Sequence, residues 1–284
     1  MSAIDPDQLR ADSRDSWECA AAGWGKRADR VRDWGMPVSV AMVEGLGLGP
    51  GQRVLELAAG PGDTGFMAAE LVAPGGTLLS SDGAAAMIDV ARRRAGELGI
   101  DDVEFRQLEL EWIDLPTASV DAVLCRWGIM LIVDPEAAAR EVRRVLRAGG
   151  RAAFAVWDAR SRNPWTTIPT DVLVALGHAQ PPDPQAPGMF ALAGEGRLTE
   201  LLQDAGFTDV VVSAVSLVRR SATVQDYLDE TAEMSPTFGA TVRELDRQQR
   251  DEVAARIAAA VVPYSADDGS LVLPGSSLVA IASA

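Results

Sequence analysis

Val54-Leu-Glu-Leu-Ala-Ala-Gly-Pro-Gly-Asp-Thr-Gly65 decides the fold: an apolar run of strand length ends in glycines and passes directly into a helical pattern near 64–72. Gly60-Pro-Gly62-Asp-Thr-Gly65 in that place lets the backbone come close to a ligand held at a helix N-terminus. Asp82 closes the next strand, 82 − 62 = 20 residues after Gly62, where an acidic side chain can accept hydrogen bonds from ribose hydroxyls. The spacing leaves two cofactors open, because Gly60-x-Gly62-x-x-Gly65 also fits the dinucleotide fingerprint of nicotinamide oxidoreductases. Glu56 counts against the second, since a dinucleotide strand is normally apolar and a buried carboxylate is costly unless a cation or hydrogen-bond donor meets it. Lys26, the sole lysine, lies outside the α/β region, so a catalytic Tyr-Lys pair is missing.

Outward from this stretch the pattern alternates. Strand Arg53–Ala58 precedes the helix at 64–72, and strand Thr77–Asp82 precedes a helix at 85–98. Strands Val103–Leu110 and Val120–Cys125 follow, then a helix over 135–147, a Gly149-Gly150 turn and strand Arg151–Trp157. Strands separated by amphipathic helices predict a doubly wound α/β domain with a mostly parallel sheet covered on both faces. Before it, residues 6–32 read as a helical arm on which Trp17 and Trp24, seven apart, share one face. Trp24 reads equally as part of a plain packing face or as a wall of the cleft, whereas Trp17 reads more as packing. Beyond 160 the rhythm breaks into a helix over 164–176, a proline-rich loop over 178–187 and a helix over 195–205 stopped by Gly206. Strand Thr208–Val218, two helical stretches within 223–262 and a last strand Leu271–Ser283 complete the chain. The expected division is an arm over 1–50, a cofactor-binding core over 51–160, and the remaining strands with a substrate-covering loop and helical insert over 161–284.

The stretch from Val54 to Trp157 resembles class I S-adenosylmethionine-dependent methyltransferases, in particular the quinone-biosynthesis-type small-molecule group. Val54-Leu-Glu-Leu-Ala-Ala-Gly-Pro-Gly62 is similar to that family's first motif, keeping Glu56, Gly60 and Gly62 but carrying Ala58 where the family has a glycine, and the resemblance implies that Glu56, Ala58, Gly60 and Gly62 contact the cofactor. Ser81-Asp-Gly-Ala-Ala-Ala-Met87 resembles the second, without the usual serine after the acidic position. The resemblance implies that Asp82 and Gly83 hold the ribose and that Met87 packs on the adenine. It also places Glu109 and Leu110 at the adenine edge and Arg126 and Trp127, in Cys125-Arg-Trp-Gly-Ile-Met130, between cofactor and substrate. Val145-Leu-Arg-Ala-Gly-Gly150 matches the turn into the fifth strand. The implied fold is a Rossmann-like seven-stranded sheet with an antiparallel last strand and helical lid elements, and the implied cofactor is S-adenosylmethionine. Trp24 joins the expected cofactor set from the arm. A ligand-binding protein of the same fold without catalysis is the third reading.

The bulk numbers narrow the partner. The charge, 26 − 41 = −15, repels a phosphate backbone and disfavours nucleic acid. Cys19 and Cys125 are too few for a disulfide framework or a cysteine-rich metal site, so no metal is expected. Neither a signal peptide nor a membrane-spanning run is read, which predicts a cytoplasmic protein. The acceptor is expected to be a small, largely apolar molecule methylated on oxygen or carbon. His178, the sole histidine, is the candidate general base, with a surface residue of the proline-rich loop as the competing reading. Nothing in the sequence decides between a monomer and a homodimer.

Overall fold

The computed structural model describes residues 5–183 and 186–284. Seven strands, β1 (Arg53–Leu57), β2 (Thr77–Asp82), β3 (Val103–Gln107), β4 (Val120–Arg126), β5 (Leu146–Trp157), β6 (Thr208–Ser221) and β7 (Leu271–Ser283), form one sheet in the order β3-β2-β1-β4-β5-β7-β6. The first five run parallel, and β7 lies between β5 and β6, antiparallel to both. Val54, Leu55 and Leu57 of β1 and Val123, Leu124 and Cys125 of β4 are fully buried, which is why these strands read as continuous apolar runs. The strand order reverses between β1 and β4, and that reversal opens a crevice beyond their C-terminal ends.

Ten helices are described: α1 (Pro6–Lys26), α2 (Ala28–Leu46), α3 (Asp63–Val72), α4 (Ala85–Leu98), α5 (Pro135–Val145), α6 (Pro164–Ala175), α7 (Arg197–Asp204), α8 (Val224–Met234), α9 (Pro236–Glu244) and α10 (Arg247–Val261). The sequence reading differs in several particulars, each with a local cause. The N-terminal arm is two helices, broken at Arg27, and α2 runs on to Leu46, where Gly47 stops it with φ 62°. Residues 1–4 of that arm lie outside the described residues. The insert holds three helices instead of two. The Ser235 hydroxyl accepts from the Phe238 N–H beside Pro236, and Asp246 and Gln249 form a capping box, so two fresh helix starts interrupt the stretch. Strand β3 stops at Gln107, leaving Glu109 in an isolated bridge to Trp112. Strand β5 begins at Leu146, which already pairs with Val120. Residues 147–150 then bulge, Gly149 at φ 78°, before Arg151 pairs with Ala122. The proline-rich loop has no helix or strand in its described part, and Pro184 and Gln185 lie outside the described residues.

Candidate active site

A cleft of about 980 Å³, open mouth included, fills the crevice at the β1–β4 reversal. Its floor is the turn that follows β1. Ala58, Gly60 and Gly62 all take positive φ, at 50°, 54° and 90°, and the chain then enters α3. Asp82 fixes this turn against the next one: its carboxylate accepts the Gly60 N–H at 2.9 Å and the Ala84 N–H at 3.0 Å. Burial outweighs these two donors and pushes the Asp82 carboxyl above its ordinary value. Each carboxylate oxygen keeps a lone pair beyond the bond it accepts from the backbone.

Of the twelve residues read from the sequence as cofactor contacts, ten line the cleft: Trp24, Ala58, Gly60, Asp82, Gly83, Met87, Glu109, Leu110, Arg126 and Trp127. Glu56 and Gly62 do not. Glu56 lies beneath the turn, where its carboxylate accepts from the Gly65 N–H at 2.7 Å and from the Ser80 hydroxyl at 3.1 Å. A Cβ at position 65 would overlap that carboxylate, so the last glycine of the motif makes room for Glu56. Burial pushes Glu56 up to about 8, against the two hydrogen bonds and the positive charge of Arg126. Gly62 serves as the left-handed residue ahead of α3.

Ala58 stands where the family's first motif has glycine, and the structure shows how its methyl group is accommodated. A non-glycine residue in the left-handed region costs roughly 1–2 kcal/mol. A Cβ at Gly128 would overlap the Ala58 Cβ, so the missing glycine reappears beside it, just beyond the end of the neighbouring strand β4. Gly128→Ala is therefore expected to destabilise the protein by about 1–3 kcal/mol, and Ala58→Gly to rescue most of that loss. Chemical denaturation of the two single variants and the double variant measures the coupling, and additive losses would contradict it.

Helix α1 forms the opposite wall, and this was only partly readable. Trp24 and Trp17 meet edge to face with centroids 5.8 Å apart and pack with Met87. Arg14 binds Glu109, with Nε at 3.0 Å and Nη2 at 2.6 Å, and Arg10 binds Glu111 at 2.7 Å. Glu18 accepts the Ala85 and Ala86 N–H groups at 2.6 and 2.9 Å and so caps α4, which carries no side-chain cap of its own. The signal was the four-residue spacing of Arg10, Arg14 and Glu18 along one helix face. Glu109, read as an adenine contact, thus lines the cleft with its carboxylate already engaged. Exposed ion pairs contribute only about 0.2–1 kcal/mol each, so Arg10→Ala with Arg14→Ala should loosen α1 without unfolding the core. Proteolytic cleavage within residues 10–26 should speed up severalfold, and an unchanged rate would show that these two ion pairs do not hold α1 against the core.

The helical insert does not roof this cleft: among the described residues nothing beyond Val133 lines it. The insert instead holds the far end of α1, where the Trp24 indole N–H donates to the Met234 carbonyl at 2.9 Å and Arg27 binds Glu233 at 2.6 Å. His178 lies in the turn after α6, half-buried, its N–H on the Leu173 carbonyl at 2.9 Å, and it does not line the cleft. Lys26 is likewise outside, paired with Glu233. Trp127 closes the inner end. At φ 61° its indole N–H donates to the Ser277 hydroxyl at 2.7 Å, and its ring stacks on Trp157 at 4.3 Å and Trp34 at 5.2 Å.

Comparison with known proteins agrees with this architecture. Residues 48–206, more than half of the chain, match a family model described as a methyltransferase domain. The ubiquinone/menaquinone biosynthesis C-methyltransferase UbiE of Hahella chejuensis is 36% identical over 110 residues, 38% of this chain and 44% of that protein. The corresponding enzyme of Cellvibrio japonicus is 32% identical over 110 residues, with the same shares. The chain thus spans less than half the length of these curated relatives. The YcgJ protein of Bacillus subtilis shares the fold, with a TM-score of 0.55 at 17% identity over 86% of this chain and 97% of that one. The motif order, the sheet order 3-2-1-4-5-7-6 and the matched domain lead to one conclusion: the chain belongs to the methyltransferase-domain family.

Proposed function

We propose that the protein is an S-adenosylmethionine-dependent methyltransferase that acts on oxygen or carbon of a small, largely apolar molecule. The observation that carries this reading is Asp82, tied by the Gly60 and Ala84 N–H groups at the strand reversal with acceptor capacity left over. The residues present fit the cofactor. Asp82 would take the ribose hydroxyls, Gly83 leaves room beside it, Met87 and Leu110 offer apolar flanks for adenine, and the Ala58–Gly60 turn would meet the amino-acid end. When bound, the cofactor supplies a methyl group made electrophilic by its sulfonium.

The protein's own contribution is then orientation and the exclusion of water. Holding two reactants in line can lower a barrier by about 7–11 kcal/mol, and Trp17, Trp24 and Trp127 wall the cleft with large apolar surfaces. His178 has no place in this mechanism as a base, because it stands outside the cleft. A nicotinamide reading has no Tyr-Lys pair to support it, since the sole lysine is held on Glu233. The net charge of −15, which repels a phosphate backbone, and the aromatic walls support a small, apolar acceptor, and the similarity to UbiE points towards quinone-like rings. No helix among the described residues is long and apolar enough to cross a membrane, and a cytoplasmic location goes with the proposal. The test is a mass-spectrometric screen with labelled S-adenosylmethionine over phenols, hydroxyquinones, RNA and protein. Label on the small aromatic compounds supports the reading, whereas label confined to macromolecules overturns it.

A further inference from the structure

Every charged side chain that lines the cleft has a partner except one. Asp82 accepts two backbone N–H groups, Glu109 binds Arg14 and Glu111 binds Arg10. Arg126, at the end of β4, makes no hydrogen bond and no ion pair among the described residues, and its Nη1 is buried without a partner. Its guanidinium rests on the Trp127 ring, 4.5 Å from the centroid. Helix α2 comes close enough to enclose it only because position 35 is glycine, where a Cβ would overlap Nη1. Burial works against its charge and lowers its pKa, while Asp63 and Glu56 favour the charged form without touching it. A half-buried guanidinium with open donors is costly, and an entering anion offsets that cost.

We infer that Arg126 is the recognition site for an ionised oxygen on the methyl acceptor: a carboxylate, phenolate or enolate on an otherwise apolar molecule. The inference deepens the methyltransferase reading and rests on it. The guanidinium donates to the anionic oxygen, while Leu131 and Ile132 of the same cleft offer apolar surface to the rest of the molecule. An acceptor that enters ionised has already given its proton to the solvent, so the cleft needs no base, in keeping with the position of His178 outside it.

The cofactor's own carboxylate is the other source of such an anion, and the experiment separates the two. Isothermal titration of 2-naphthoate and its uncharged analogue 2-naphthamide is run on protein saturated with S-adenosylhomocysteine, for the wild type, Arg126→Gln and Arg126→Lys. The inference expects the wild type to prefer the anion by at least about tenfold, Arg126→Gln to lose that preference and Arg126→Lys to keep part of it. S-adenosylhomocysteine should bind the wild type and Arg126→Gln within about threefold of each other, and the melting temperature of the variant should fall little, because the guanidinium has no hydrogen bond or ion pair to lose and only its contact with the Trp127 ring goes. Equal binding of the two probes by the wild type overturns the inference, as does a preference that survives in Arg126→Gln. A tenfold loss of S-adenosylhomocysteine in Arg126→Gln with 5′-methylthioadenosine unchanged also overturns it, assigning the guanidinium to the cofactor. Failure of the wild type to bind S-adenosylhomocysteine would instead sink the cofactor reading, and the naphthoate comparison without it still tests Arg126.

Discussion

Replacing Asp82 with alanine should weaken S-adenosylhomocysteine binding by about one to two powers of ten. Two losses combine. The carboxylate offers charge-assisted acceptors for the ribose hydroxyls, each stronger than a neutral bond. It also holds the Gly60 and Ala84 N–H groups, so its removal frees both turns that shape the cofactor end of the cleft. An ordering cost then falls on the moment of binding. Asp82→Asn, which keeps one carbonyl acceptor, should lie between the wild type and the alanine variant. Titration calorimetry reads the series, with circular dichroism to confirm folding, and an unchanged affinity in Asp82→Ala would remove this residue from the site.

Glu56 should make stability fall as pH rises. Burial moves its pKa from an ordinary 4.5 to about 8 in the folded protein. Between those two values the native state retains a proton that the unfolded chain has released, so protonation favours folding and the advantage is lost as pH climbs. Below about 4.5 the side chain contributes no slope, and above about 8 the loss is complete. The shift corresponds to roughly 3–5 kcal/mol over the whole window, an upper figure for a group that can relax towards solvent. Glu56→Gln can still accept the Gly65 N–H and has no proton to lose, so its stability should be nearly flat over the same range, several kcal/mol above the wild type at pH 8.5. Urea unfolding at pH 5.5 and 8.5 measures both proteins, and parallel slopes would contradict the assignment.

The cofactor half of the site was legible because it is local. Gly60, Gly62 and Asp82 announce turns at strand ends, and strands β2 and β7 and helix α4 fall on the residues their patterns predict. Glu56 was read as a carboxylate needing a partner, and the partners are hydrogen-bond donors, Gly65 N–H and the Ser80 hydroxyl. The wall made by α1 was less legible, because Arg14 and Glu109 are 95 residues apart and no local pattern couples them. The same holds for Gly128, whose reason lies in the methyl group of Ala58 beyond the neighbouring strand, 128 − 58 = 70 residues earlier in the chain. His178 was singled out by chemistry alone, and chemistry without position cannot place a side chain. The covering role given to the insert came from the family resemblance and not from its own residues: its helices buttress α1 through Met234 and Glu233 instead of roofing the cleft.

The central claim is that the cleft at the β1–β4 reversal binds S-adenosylmethionine, and parallel isothermal titrations with S-adenosylmethionine, S-adenosylhomocysteine and NADH test it most directly. The account predicts micromolar binding of the first two and none of the third. Binding of NADH alone would contradict it and return the glycine turn to the dinucleotide enzymes.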